Sequence, residues 1–232
     1  MEAVPSRCAR LLSESIVEGA LIPVIEYQRI PSGFLVPDVC VGSRKEVLSV
    51  VLVSNDKTLE NIESIALDES SRTSVTLVKI IFKEFLNREP EWTTSAPNIQ
   101  EMLGKYDAAL IIGDPGMGFR RRGLNVCDMA GLWKKYTGLG FVFAMWMVSE
   151  TAAERARLVD FAGARDDGIA HLEEIVQSYQ DKIPMPVEQL RNYLTENIVF
   201  NVDERMEKGL RLYFELAFKH GLIETVKPLK FI

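Results

Sequence analysis

Cysteine and histidine are scarce in this chain, and the scarcity narrows its chemistry at once. Its three cysteines, Cys8, Cys40 and Cys127, stand far apart with no paired spacing. That pattern excludes a disulfide framework and a zinc ribbon and suits a reducing compartment. The two histidines, His171 and His220, each fall in a helical pattern remote from any cysteine, so neither a metal site nor a His-centred triad is expected. Long apolar runs are missing as well: none is an uninterrupted match for the roughly 20 residues that span a bilayer. Met1-Glu2-Ala3 leads into no basic segment followed by an apolar stretch, so the expected compartment is the cytoplasm. Positive charge is in deficit, 27 Lys and Arg against 33 Asp and Glu for a net charge of −6 and a pI near 5.2. A chain of that charge repels nucleic acid and anionic membranes, so an anionic ligand would need local help.

What is present is an ordinary globular composition: 232 residues, 47% hydrophobic and 26% charged, enough for one large domain or two lobes. Helical spacing begins at Pro5 with Cys8, Leu11 and Leu12 on one face, and Gly19 is expected to end that helix. Ala20 to Tyr27 is apolar but contains Pro23, which disfavours a central strand over its whole length. Pro31, Gly33 and Pro37 mark 29–37 as loop. Valine-rich strands are expected at 39–41 and 47–53, and another at 92–95. Helices are expected at 99–103, 151–161, 169–179, 187–194 and 202–220, the last stopped by Gly221. Phe141 to Val148, apolar at both alternating sets of positions, reads as a strand covered on both faces. Strands and helices alternate to Val148 and helices follow, which predicts an α/β fold with a helical C-terminal cover.

Two stretches carry chemistry. From Ile65 to Leu86 a short apolar run meets Asp68 and a hydroxyl-rich turn, and then Val75, Val78, Ile81, Phe82 and Phe85 recur at helical spacing. Ser70, Ser71, Thr73 and Ser74 crowd that helix start, where hydroxyls can cap the free N–H groups or where those groups can face an anion. Arg72 adds a fixed cation with a planar fork suited to a carboxylate. The plain alternative is an N-cap beside a solvent-facing arginine. The second stretch, Asp107 to Ile112, is a buried strand closed by Gly113-Asp114-Pro115, where glycine lets a ligand or another backbone approach and aspartate accepts hydrogen bonds. Glu26, after the first apolar run, is a further cleft candidate, because ligands collect at strand ends in open α/β sheets. Gly113, Gly116 and Gly118 do not have the spacing of a phosphate loop. Arg120, Arg121 and Arg122 form the one strongly basic run and read as solvated.

Taken in order, Val4-Pro5-Ser6, Ile22-Pro23-Val24-Ile25-Glu26-Tyr27, Asp68 to Ser74, Ile111 to Pro115, Thr137-Gly138-Leu139 and Phe141-Val142-Phe143-Ala144 resemble the menaquinone-biosynthesis chorismate dehydratase family, as does the final Gly-Leu-Ile after a long helix. The resemblance implies a fold like type II periplasmic binding proteins, with two α/β lobes and a central cleft. The lobes would be 1–52 with 146–232, and 53–145. It further implies a cytoplasmic enzyme of the futalosine route that removes water from chorismate, leaving 3-(1-carboxyvinyloxy)benzoate. Members of that family open with a further strand whose Leu-Asn turn faces the cleft. This sequence is expected to begin after it, which makes binding without turnover the alternative, alongside another menaquinone-pathway enzyme of the same fold.

Chorismate is a dicarboxylate, and its dehydration gives an aromatic ring, so the reaction needs fixed N–H and hydroxyl donors rather than a metal or redox cofactor. By this reading Ser71, Arg72, Thr73 and Ser74 bind a carboxylate, with Glu26 also lining the site. Gly113 and Asp114 line the other wall, and Asp114 serves as proton acceptor or orienter unless a substrate carboxylate is the base. Phe141, Phe143 and Trp146 belong to the core. The sequence gives no indication of oligomeric state.

Overall fold

The computed structural model describes residues 4–180, 182, 183 and 185–232. Its first helix, α1 (Pro5–Ser13), has Pro5 at its opening turn and buries Ala9 and Leu12. It ends earlier than the sequence suggests. Ser15 takes a positive φ, and Gly19 opens a strand, β1 (Gly19–Pro23), rather than closing the helix. A single turn, α2 (Glu26–Arg29), follows. Strand β2 (Phe34–Ser43) then takes in the last residues of the stretch expected to be loop together with the strand expected at 39–41. Pro37 is tolerated because β2 is an edge strand whose register with its neighbour shifts between Leu35 and Cys40, while Asp38 adopts a φ of 58°.

The chain next builds a second sheet from β3 (Val50–Ser54), β4 (Ser64–Asp68), β5 (Glu91–Ser95), β6 (Ala108–Ile112) and β7 (Asn125–Asp128). Between them lie α3 (Thr73–Ile80), which continues as a π-turn through Phe85, then α4 (Ile99–Leu103) and α5 (Asp114–Gly118). The order across this sheet is β5-β4-β6-β3-β7, with β4 parallel to both β5 and β6. Strand β3 starts three residues after the valine run begins, because Leu48 has a φ of 61° and the N–H groups of Val47 and Leu48 both turn to the Asp128 carboxylate. The segment 125–137, for which the sequence suggests no element, holds β7 and then α6 (Met129–Thr137), capped by Asp128.

Crossing back, β8 (Phe141–Val148) takes the middle of the first sheet, antiparallel to β1 and β2. That central place is what its unbroken apolar pattern requires. Short helices α7 (Ala153–Ala156), α8 (Phe161–Ala170), α9 (Leu172–Tyr179) and α10 (Val187–Asn192) precede the long amphipathic α11 (Glu204–Lys219). Within the helix expected over 169–179, Val176 is buried while the apolar Ile169, Ile175 and Tyr179 are exposed.

The largest group of contacting buried side chains draws on both sheets, with Ile22 and Phe141 from the first and Leu52 and Leu67 from the second. Trp133, Phe141 and Tyr213 stack edge to face at its centre. The indole N–H of Trp133 donates to the Gly140 carbonyl at 3.2 Å, so the one polar atom of that ring is satisfied inside the core. Among the described residues no helix is long and apolar enough to cross a membrane.

Candidate functional site

Strands β4 and β6 run parallel, pairing Leu67 with Leu110, so their carboxyl ends emerge side by side. That is the position at which open α/β sheets gather ligands. One side chain joins the two ends. Asp68, 1% exposed, accepts at Oδ1 from the Ser70 N–H (2.9 Å) and hydroxyl (2.6 Å), and at Oδ2 from the Ile112 N–H (3.3 Å). The hydroxyl-rich turn and the Gly113-Asp114 turn, which are remote in sequence, are thereby held together.

Helix α3 starts directly after this turn, and among the described residues no side chain caps its free N–H groups. The many hydroxyls nearby are employed elsewhere. Ser70 serves Asp68, and Thr73 is a tie between the sheets: its hydroxyl donates to the Phe143 carbonyl (3.0 Å) and accepts from the Ile25 N–H (3.4 Å). The Thr73 carbonyl in turn accepts from the Tyr213 hydroxyl at 2.9 Å. Ser71 differs. Its hydroxyl is buried without a hydrogen-bond partner among the described residues, although such groups ordinarily find one. Ser74 is 4% exposed, and Arg72 lies at the surface with no ion-pair partner among the described residues.

On the other wall Gly113 adopts φ 67° and ψ −148°, a conformation that needs glycine. Its N–H donates to the Ser49 carbonyl at 2.7 Å. Asp114 opens α5 and is exposed. Glu26 does not simply trail a strand; it begins α2 and pairs with Arg29 at 2.6 Å. Because the N–H of its neighbour Ile25 reaches Thr73, the turn bearing Glu26 adjoins the start of α3.

Several residues around this site escaped sequence reasoning. Ser49 receives the Gly113 N–H, and its hydroxyl accepts from the Tyr193 phenol at 3.0 Å. Burial pushes the Tyr193 phenol above its usual range, and the negative charge of Asp114 pushes it the same way. Asp128 accepts from the N–H groups of Val47, Leu48 and Gly131; burial raises its carboxyl, and those three bonds draw it back. Arg121 is not merely solvated: its guanidinium donates to the carbonyls of Leu48 (3.1 Å) and Gly116 (3.4 Å). The strongly apolar cavity, about 500 Å³ and lined by Leu21, Val41, Trp146, Phe161 and Leu172, involves none of the candidate site residues. Among the described residues no three His, Cys, Asp or Glu side chains converge as a metal cage.

The comparisons agree with this architecture. A family model described as menaquinone biosynthesis matches residues 1–219. The chain is similar to a chorismate dehydratase of Thermus thermophilus, 27% identical over 93% of this chain and 85% of that protein. Among solved structures it resembles a protein of Archaeoglobus fulgidus, with a TM-score of 0.75 at 17% identity over 96% of this chain and 86% of the other. It also resembles the periplasmic aliphatic sulphonate binding protein of Escherichia coli, with a TM-score of 0.62 at 13% identity over 100% and 82%. Those two likenesses show the fold, a periplasmic-binding-protein-like arrangement of two sheets with helices. With nearly its whole length matched by one family model, the chain belongs to the menaquinone biosynthesis family.

Proposed function

We propose that this protein is a carbon–oxygen lyase of the cytoplasm that dehydrates chorismate to 3-(1-carboxyvinyloxy)benzoate. The observation that carries the reading is the unpartnered, buried Ser71 hydroxyl beside the uncapped start of α3, held next to Gly113 and Asp114 by Asp68. An arrangement of donors fixed before the ligand arrives is what a carboxylate gathering charge in a transition state needs. The similarity to a chorismate dehydratase supplies the substrate.

In chorismate the hydrogen on the ether-bearing carbon is vinylogous to the ring carboxylate, and the adjacent carbon carries the hydroxyl that leaves. Removing that proton sends its electron pair toward the ring carboxylate; the pair then expels hydroxide, which takes up a proton and departs as water. Aromatisation drives the step. The first N–H groups of α3, the Ser71 and Ser74 hydroxyls and Arg72 hold a carboxylate. Thr73 contributes its N–H, since its hydroxyl proton is committed to Phe143. Asp114 accepts the proton or orients the substrate carboxylate that does, and Glu26 lines the approach.

Mixing the purified chain with chorismate and following loss of the diene absorbance with gain of the enolpyruvyl benzoate tests the reading. Equimolar conversion supports it. Tight binding with no product would instead make the chain a small-carboxylate binding module.

A further inference from the structure

The polypeptide passes from the first sheet to the second through 44–49, and this crossing is held from three directions. The Asp128 carboxylate takes the N–H groups of Val47 and Leu48, at 3.0 and 2.7 Å. The Arg121 guanidinium takes the Leu48 carbonyl. From the C-terminal helices, 144 residues away in sequence, the Tyr193 phenol donates to the Ser49 hydroxyl. The crossing also gives something back, because the Ser49 carbonyl accepts the Gly113 N–H at 2.7 Å. Ser49 is 5% exposed and Leu48 has a positive φ of 61°, so this short turn is packed at one residue and demanding of backbone at the next. Tyr193 itself is carried by a π-turn (193–197) after α10, packed with Leu190, Val176 and Ile183 against Met117 of α5, the helix that Asp114 begins.

We infer that Tyr193 is a positioning residue: through Ser49 it fixes the Gly113-Asp114 wall of the candidate site, so that the C-terminal helical cover sets the geometry of a group on the second sheet. The proposal rests on the chorismate reading for its catalytic consequence but not for its structural one. A side chain that holds a reacting group through an intermediary acts by narrowing the positions that group samples, and small displacements at such sites are expensive in rate.

Three variants test it: Tyr193→Phe, Ser49→Ala and the pair combined. Tyr179→Phe, on the exposed surface of the same cover, is the control. Amide exchange at Gly113 should rise at least about threefold in Tyr193→Phe while exchange in β6 stays at its original rate, since a local opening leaves the core closed. Chorismate kcat/KM should fall about tenfold in Tyr193→Phe, with the loss in kcat, and the double variant should be no worse than the poorer single one. Unchanged exchange at Gly113 overturns the inference. So does a Tyr193→Phe protein with full kcat, or one whose loss of rate matches only its unfolded fraction by thermal melting. If the unsubstituted chain turns over no chorismate, the functional reading falls, while the Gly113 exchange still decides the role of Tyr193.

Discussion

Ser71 and Thr73 stand two positions apart and have opposite characters. Thr73 spends its hydroxyl twice, on Phe143 and Ile25, and cements α3 to the first sheet. Ser71 keeps a buried hydroxyl with no partner among the described residues, a state that typically costs about 1–3 kcal/mol. Ser71→Ala is therefore expected to raise stability by about 1 kcal/mol in urea titration while lowering chorismate affinity about tenfold. A variant that loses stability and keeps affinity would mean that the hydroxyl serves the fold. Gly113 is the complementary case. A Cβ there meets nothing within 4 Å, so space is not the obstacle; the backbone is. Gly113→Ala should cost about 1–3 kcal/mol from its φ of 67°, and it should impair turnover more than Ser71→Ala because it moves the Asp114 wall. The hydroxyl-rich turn 70–74 and the Gly113-Asp114-Pro115 turn are visible in the sequence because their chemistry is local. Ser49 and Tyr193 are not, since nothing in either neighbourhood announces a partner 144 residues away.

Element by element, legibility follows how local the cause is. Segments whose pattern is self-contained were readable: α4 begins and ends where expected, and β8 sits at the centre its two apolar faces demand. Segments set by distant partners were not. β2 absorbs Pro37 where its pairing with β8 is interrupted between Leu35 and Cys40, and β3 starts late because Asp128 claims the preceding N–H groups. The β4 and β6 pair shows how such anchors work at both ends. Asp68 ties their carboxyl ends, and Asp107 ties the amino ends by accepting from the Glu63 and Ser64 N–H groups while pairing with Lys57 at 2.8 Å. The Lys57 ammonium is the main cause that holds the Asp107 carboxyl below its usual range. A carboxyl whose folded pKa is lowered stabilises the fold above its unfolded value, near 3.9, and loses that contribution as the pH falls through the folded value. Asp107→Asn should thus be about 1 kcal/mol less stable than the unsubstituted chain at pH 7. The gap should close below about pH 4 as the native carboxyl takes up its proton. Parallel stability curves down to pH 3 would show that Asp107 does not hold this edge.

At the scale of the molecule, the start of α3 is a place where hydrogen bonds tie the two sheets together. Thr73 reaches Ile25 and Phe143 of the first sheet region, and Tyr213 of α11 reaches the Thr73 carbonyl. A dicarboxylate seated there touches groups whose positions depend on both sheets, so its binding free energy adds to the stability of the whole rather than of one part. The proposed product, 3-(1-carboxyvinyloxy)benzoate, is the suitable probe because the chain does not consume it. At a hundredfold excess over its dissociation constant it should contribute about 2.7 kcal/mol, raising the melting temperature by roughly 5–10 °C in a chain of this size. The overall charge of −6 works against a dianion, so the local cation must carry the attraction. Arg72→Ala, exposed and without an ion-pair partner among the described residues, should leave the unliganded melting temperature within about 1 °C, as surface substitutions do. It should also abolish most of the shift. A product-induced shift that survives in Arg72→Ala would place the anion somewhere other than the front of α3.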